Sequence, residues 1–234
     1  MTQSPTDTRP TRPKGVGRRE RLESFVTNRI ERIQRAYLDP ANRARGGAEL
    51  ARLRHAASLD AGESPDTWML EFDGFPEDLV GRDTEPSPGE WAAHLAFTLY
   101  AIHQQSNTKK KMHEPGATHS LGSAVRALVH SQKSDSSTPN DEVPSRFAAL
   151  VTATEPSEIA HYARMLVRQL GSATPSPIPL DYRRLVGQLF DLRHQSRANQ
   201  VRLQWGREYA QWRPESSDTE SSDTGTPTTN QEGN

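Results

Sequence analysis

The chain has 234 residues, 32% of them apolar, and its 29 basic and 30 acidic side chains leave a net charge of −1. That length allows one large domain or two small ones, and so low an apolar share implies that part of the chain never packs. The lack of any cysteine excludes disulfides and thiolate metal sites, and no apolar run reaches the eighteen residues of a membrane span.

In chain order, residues 1–17 are rich in Thr, Pro and Arg, lack the apolar stretch of a secretory signal, and read as a disordered arm of a cytoplasmic protein. A first helix is predicted over Arg18–Leu38. Leu22, Phe25, Val26, Ile30, Ile33 and Tyr37 form its apolar stripe, and Arg18, Arg21, Arg29, Arg32 and Arg35 lie mostly elsewhere. After the break at Pro40, "GGAELARLRHAASL" places Leu50, Leu53 and Ala57 inward and its arginines outward. Residues 60–88 carry four prolines and three glycines among acids and scattered Trp68, Leu70, Phe72 and Phe75, which predicts a long ordered loop with short turns. Helix signals return at "SPGEWAAHLAFTLYAIHQQ". Ser87 is the N-cap, Pro88 the first helical residue and Glu90 completes a capping box, and the apolar residues of Trp91–Ile102 cover nearly every side of a central buried helix.

The stretch "HQQSNTKKKMHEPGATHSLGSAVRALV" admits three chemistries. A zinc site fails on spacing, because His113, Glu114 and His119 do not give the i, i+4 pair that aims two imidazoles at one ion. A phosphate-cradling loop of the G-x-x-x-x-G-K-[ST] type fails too, since "GATHSLGSA" has no lysine and follows no strand. The third reading is a clamp for a phosphodiester backbone: Lys109, Lys110 and Lys111, a loop containing Gly116, and a helix capped by Ser120 whose free N–H groups favour an anion. A solvated lysine run in a flexible turn explains the same residues.

Residues 131–144, "SQKSDSSTPNDEVP", read as a linker between an N-terminal helical half, 18–130, and a C-terminal bundle, 145–213. In the latter follow "SRFAALV", then "EPSEIAHYARMLVRQLG" with Pro156 near its start and Gly171 at its end. Next come "LDYRRLVGQLFDLRH", capped by Asp181, and a last helix with Val201, Trp205, Tyr209 and Trp212 on one face. Residues 214–234 read as a disordered acidic tail. The predicted fold is all-α, an elongated pair of packed helical bundles with disordered termini.

Charge is segregated along the chain. Residues 60–90 hold ten acidic and one basic side chain, residues 214–234 five acidic and none basic, and the remainder 28 basic against 15 acidic, a net of +13. Such a field attracts polyanions, and from Pro144 to Arg213 all ten cations are arginines, which suit bidentate phosphate contact. No nucleophile elbow, paired catalytic carboxylates or Ser/His/Asp order stands out, so an enzyme such as a small helical hydrolase has no support.

The order "GGAELARLRHA", "AFTLYAIHQQ", "KKKMHEPGATHSLGSAVRAL", "SRFAALVTA", "IAHYARMLVRQL", "PLDYRRLVGQLFDL" and "QWGREYAQW" resembles the CasB family, the small subunit of the type I-E CRISPR Cascade complex, from about Leu22 to Trp212. The resemblance implies a non-catalytic, all-helical subunit without cofactor, metal or small-molecule substrate. It would be present as two head-to-tail copies that contact CRISPR RNA and the target and displaced DNA strands, beside the backbone and large subunits. Its role would be to stabilise the R-loop in antiviral defence; cleavage would belong to a separate nuclease-helicase. The family's basic positions fall on Arg54, Arg146, Arg164 and Arg193, with His55 replacing the second Arg of the usual Leu-Arg-Arg. The candidate contact set is Arg52, Arg54, Lys109, Lys110, Lys111, Arg126, Arg146, Arg164, Arg168 and Arg193. The alternative is a helical scaffold that acts only through protein contacts.

Overall fold

Leu22, Val26, Ile30 and Ile33 recur at helical spacing, and all four are fully buried on one face of α1 (Arg18–Leu38). The computed structural model that shows this describes residues 16–135 and 142–211. The other face of α1 is used as well. Arg18 and Arg21 both pair with Asp78, and Arg29 donates to the carbonyls of Met69, Leu70 and Asp73. These arginines fasten the acidic segment to the body of the molecule.

After the turn at Pro40, α2 (Arg43–His55) folds back along α1. Gly46 sets how closely they cross: a Cβ there would sit 2.5 Å from the Tyr37 nitrogen, so only glycine lets the backbones touch. The acidic segment is ordered, as its scattered apolar residues predict. It contains the single turn α3 (Trp68–Glu71) and is anchored by buried Leu70, Phe75 and Leu79.

The centre of the fold is α4 (Pro88–His103), buried from Ala92 through His103 and packed by α1, α2, α7 and α8. Its start is the predicted capping box. Glu90 N–H donates to Ser87 Oγ at 3.1 Å, and Ser87 N–H donates to Glu90 Oε2 at 2.8 Å.

There follow α5 (Leu121–Asp135), α6 (Glu142–Thr152), α7 (Pro156–Gly171), α8 (Tyr182–Leu192) and α9 (Gln195–Gln211). Asp181 caps α8, accepting from Arg184 N–H at 3.1 Å as expected from the sequence. Among the described residues the backbone is helix, turn and one isolated bridge between His113 and Leu180, so the fold is all-α. Helices from either side of residues 136–141 contribute to one cluster of buried side chains, with α1 on α8, α4 on α7 and α8, and α5 on α9.

Helix claims both edges of the expected linker: α5 continues to Asp135 and α6 begins at Glu142. The expected disordered arm, apart from Val16 and Gly17, lies outside the described residues. So do the acidic tail and Trp212, the last member of the apolar face assigned to α9.

Candidate nucleic-acid interface

The lysine-rich stretch after α4 is held by side-chain amides. Gln104 Nε2 donates to the carbonyls of Asn107 and Lys110, at 2.6 and 2.9 Å, while its Oε1 accepts from Met112 N–H at 3.0 Å. Gln34 of α1 grips His113 the same way, donating to its carbonyl and accepting its N–H at 2.9 Å. Lys110 is pinned in turn, its ammonium donating to Ser176 Oγ at 2.9 Å and to the Pro177 carbonyl at 2.7 Å. Buried amide and backbone groups satisfied at this density make the loop part of the rigid body and leave Lys109 and Lys111 exposed on it.

The expected anion site at the start of α5 is not there. Ser120, Leu121 and Ser123 are buried, and a Cβ on Gly122 would meet the Trp205 carbonyl at 2.4 Å, because α9 lies directly across this helix end. Ser120 does cap the helix, accepting from Ser123 N–H at 3.4 Å, but its first turn faces protein instead of solvent.

Two of the histidines in this stretch, His103 and His113, are structural. His103 Nε2 donates to the Ile178 carbonyl and its Nδ1 accepts from the Tyr182 hydroxyl, and burial pushes its pKa down to about 3. His113 Nδ1 accepts from Tyr182 N–H at 3.2 Å, and burial lowers its pKa as well. Among the described residues no group of three or more His, Asp or Glu could hold a metal ion.

Several predicted cations fall into a row beside α4. At its start Arg193, the C-cap of α8, lies over the Trp91 ring, 5.5 Å from the centroid. Farther along, half-buried Arg164 of α7 reaches the Ala57 carbonyl at 2.8 Å, beside a hollow that Trp91, Leu95 and Arg193 also line. Arg54 of α2 then approaches the Ala101 carbonyl at 3.5 Å. Trp91, Leu95 and Ala101 are spread over about 120° around α4 and span about 15 Å at the helical rise. Exposed Arg168 lies one turn beyond Arg164, and burial, then the charge of Arg168, draws the Arg164 pKa down. An arginine stays charged through such a shift. Past the end of α4 come Lys109, Lys110 and Lys111.

The other three lie off this row. Arg52 is exposed on α2, about 200° around the helix from Arg54, and makes only a long contact to the Ala48 carbonyl. Arg126 lies over Tyr209, 5.3 Å from the ring centroid, and Tyr209 stacks on Phe147. Arg146, one residue before that phenylalanine, is paired with Glu142. Of the ten candidates, Arg146 alone has an ion pair among the described residues; the α1 arginines Arg18, Arg19, Arg21, Arg29 and Arg32 all pair with carboxylates.

Two neighbours of these cations were not picked out from the sequence. Trp91 read as core because it opens an apolar helix, and Arg35 read as one of the arginines lying mostly off the stripe of the first helix; it lines a cavity of about 460 Å³ with Lys111 and His113.

The family model for the CRISPR-associated protein Cse2 matches residues 49–209. The chain belongs to the Cse2 family. Among solved structures, CasB from Thermobifida fusca is 34% identical, with 81% of this chain and 97% of that one covered at a TM-score of 0.64. CasB from Thermus thermophilus is 23% identical over 81% and 97% of the two chains, with a TM-score of 0.54, and M. ruber CasB 18% identical over 78% and 92%, with a TM-score of 0.51. These last two show likeness of fold. No curated protein matched. As a Cse2 family member the chain is a CRISPR-associated protein, and none of its described helices is long and apolar enough to cross a membrane.

Proposed function

We propose that this Cse2 family chain is a non-catalytic small subunit of a type I-E Cascade surveillance complex, and that the cations beside α4 hold the sugar-phosphate backbone of a nucleic acid strand and so stabilise the R-loop. The observation that carries this reading is that Arg54, Lys109, Lys110, Lys111, Arg164, Arg168 and Arg193 have no ion-pair partner among the described residues, where ten of the seventeen other arginines pair with carboxylates. Opening a duplex against a guide is close to energy-neutral, so modest binding to the freed strand tips the balance. Main-chain carbonyls hold Arg54 and Arg164 in place without neutralising them, which leaves their charge for phosphates. The partners in this reading are CRISPR RNA, the target and displaced strands, the backbone and large subunits and a second copy of the chain, all in the cytoplasm.

Salt dependence separates this from a scaffold acting through protein contacts. Single-strand affinity should fall with salt on a log–log slope of about −0.7 per phosphate held. Replacing exposed Arg168 and Lys109 by alanine should flatten that slope by about 1.4 and shorten R-loop lifetime, with guide loading unchanged. A slope near zero in the unsubstituted protein would reject the reading.

A further inference from the structure

Where residues 58–61 and 85–86 and the start of α4 face the first turns of α7 there is a hollow of about 490 Å³. This is a typical volume for a small-ligand site. Trp91, Leu59, Leu95 and Ala160 give it apolar walls, and Arg164 and Arg193 supply its cations. Backbone contacts need only charges on an open surface. Here two of the row's cations instead border a concave space with an indole in its wall, and Arg193 already lies over that indole at 5.5 Å. Planar guanidinium and aromatic faces are the groups on which unstacked bases settle.

Asp60 and Glu85 border the same hollow and pair with no cation among the described residues. Their carboxylates repel a phosphate and can accept from the exocyclic amines of a base. The charge distribution therefore orients a nucleotide, with the base in the hollow and the phosphate out toward Arg164 and Arg168. We infer that this hollow takes one unstacked nucleobase against Trp91, so that the chain prefers single strands that carry bases over a bare sugar-phosphate chain. The inference rests on the backbone-binding reading above and adds a base to it. Every base has a π-face, so the site would hold a strand without reading its sequence.

Fluorescence anisotropy on the full chain tests it with two 12-nucleotide strands, one of mixed sequence and one abasic throughout. One stacked base should make the mixed-sequence strand bind about 10-fold more tightly. Trp91→Ala should bring the two strands to equal affinity, and Trp91→Phe should keep most of the difference. Because Trp91 is partly buried, the comparison of the two strands on the unsubstituted protein decides the matter even if the alanine variant fails to fold. Equal affinity for both strands would overturn the base site and leave the backbone reading intact. No binding of either strand would overturn both.

Discussion

Arg19 and Arg197 both reach the buried carboxylate of Asp191, at 2.5 and 2.6 Å, whereas Arg54 and Arg164 reach only main-chain carbonyls. The first pair ties α1 and α9 to α8 and, with Glu23 also on Arg19, is matched by two carboxylates; the second pair keeps its charge. A second contrast at this scale is between glycines. Gly122 lies where α9 crosses α5, and a Cβ there would also meet Glu208 Cβ at 2.7 Å, whereas a Cβ on Gly206 of α9 would meet nothing within 4 Å. Gly122→Ala should therefore cost about 1–3 kcal/mol by forcing the helices apart. Gly206→Ala should stabilise by about 0.5–1 kcal/mol, since alanine restricts the unfolded chain and favours helix. Urea midpoints of the two variants moving in the same direction would contradict this account.

At the scale of the element, α4 sets the geometry of everything beside it, and its start is fixed by a reciprocal cap. Glu90 Oε2 does more than close the box, since it also accepts Gly81 N–H at 3.2 Å and so joins the end of the acidic segment to the helix. Ser87 Oγ in turn donates to the Leu79 carbonyl at 2.6 Å. Ser87→Ala removes both roles of the hydroxyl and should cost about 1–2 kcal/mol. Hydrogen exchange should show the loss as faster exchange at Glu90 and Trp91. Protection unchanged at those amides would mean that the cap is dispensable and that burial of α4 alone holds its first turn.

At the scale of the molecule, burial of neutral histidines makes the fold acid-sensitive. His103 has a folded pKa of about 3 against an ordinary value near 6.5, so between those limits the unfolded chain binds a proton that the native chain does not. Stability must then rise with pH across that window and be lost as pH falls from about 6.5, at about 1.4 kcal/mol per pH unit from this one group between about pH 4 and 6. His113, lowered by burial too, adds in the same direction. Denaturant unfolding measured from pH 7 to 4.5 should show this slope, reduced in His103→Gln; an unchanged slope in the variant would place the acid sensitivity elsewhere.

What was legible in the sequence was local. The stripe of α1, the capping box at Ser87 and Glu90, the Asp181 cap and the buried character of α4 depend on residues within a turn or two of one another, and spacing alone reveals them. The all-α class follows from the same periodicity, and the family from the order of the segments. The site was legible as a list of cations and not as an arrangement. Whether an arginine is neutralised depends on a carboxylate far away in the chain, as Asp191 is from Arg19, and nothing in the local pattern of α1 distinguishes its paired arginines from Arg54 or Arg164. For the same reason the start of α5 read as an open anion site until α9 was seen to cover it, and Trp91 read as core until Arg193, about a hundred residues on, was found over its ring. Helix formation is decided by near neighbours along the chain; which charges remain free is decided by neighbours in space, and only packing brings those together.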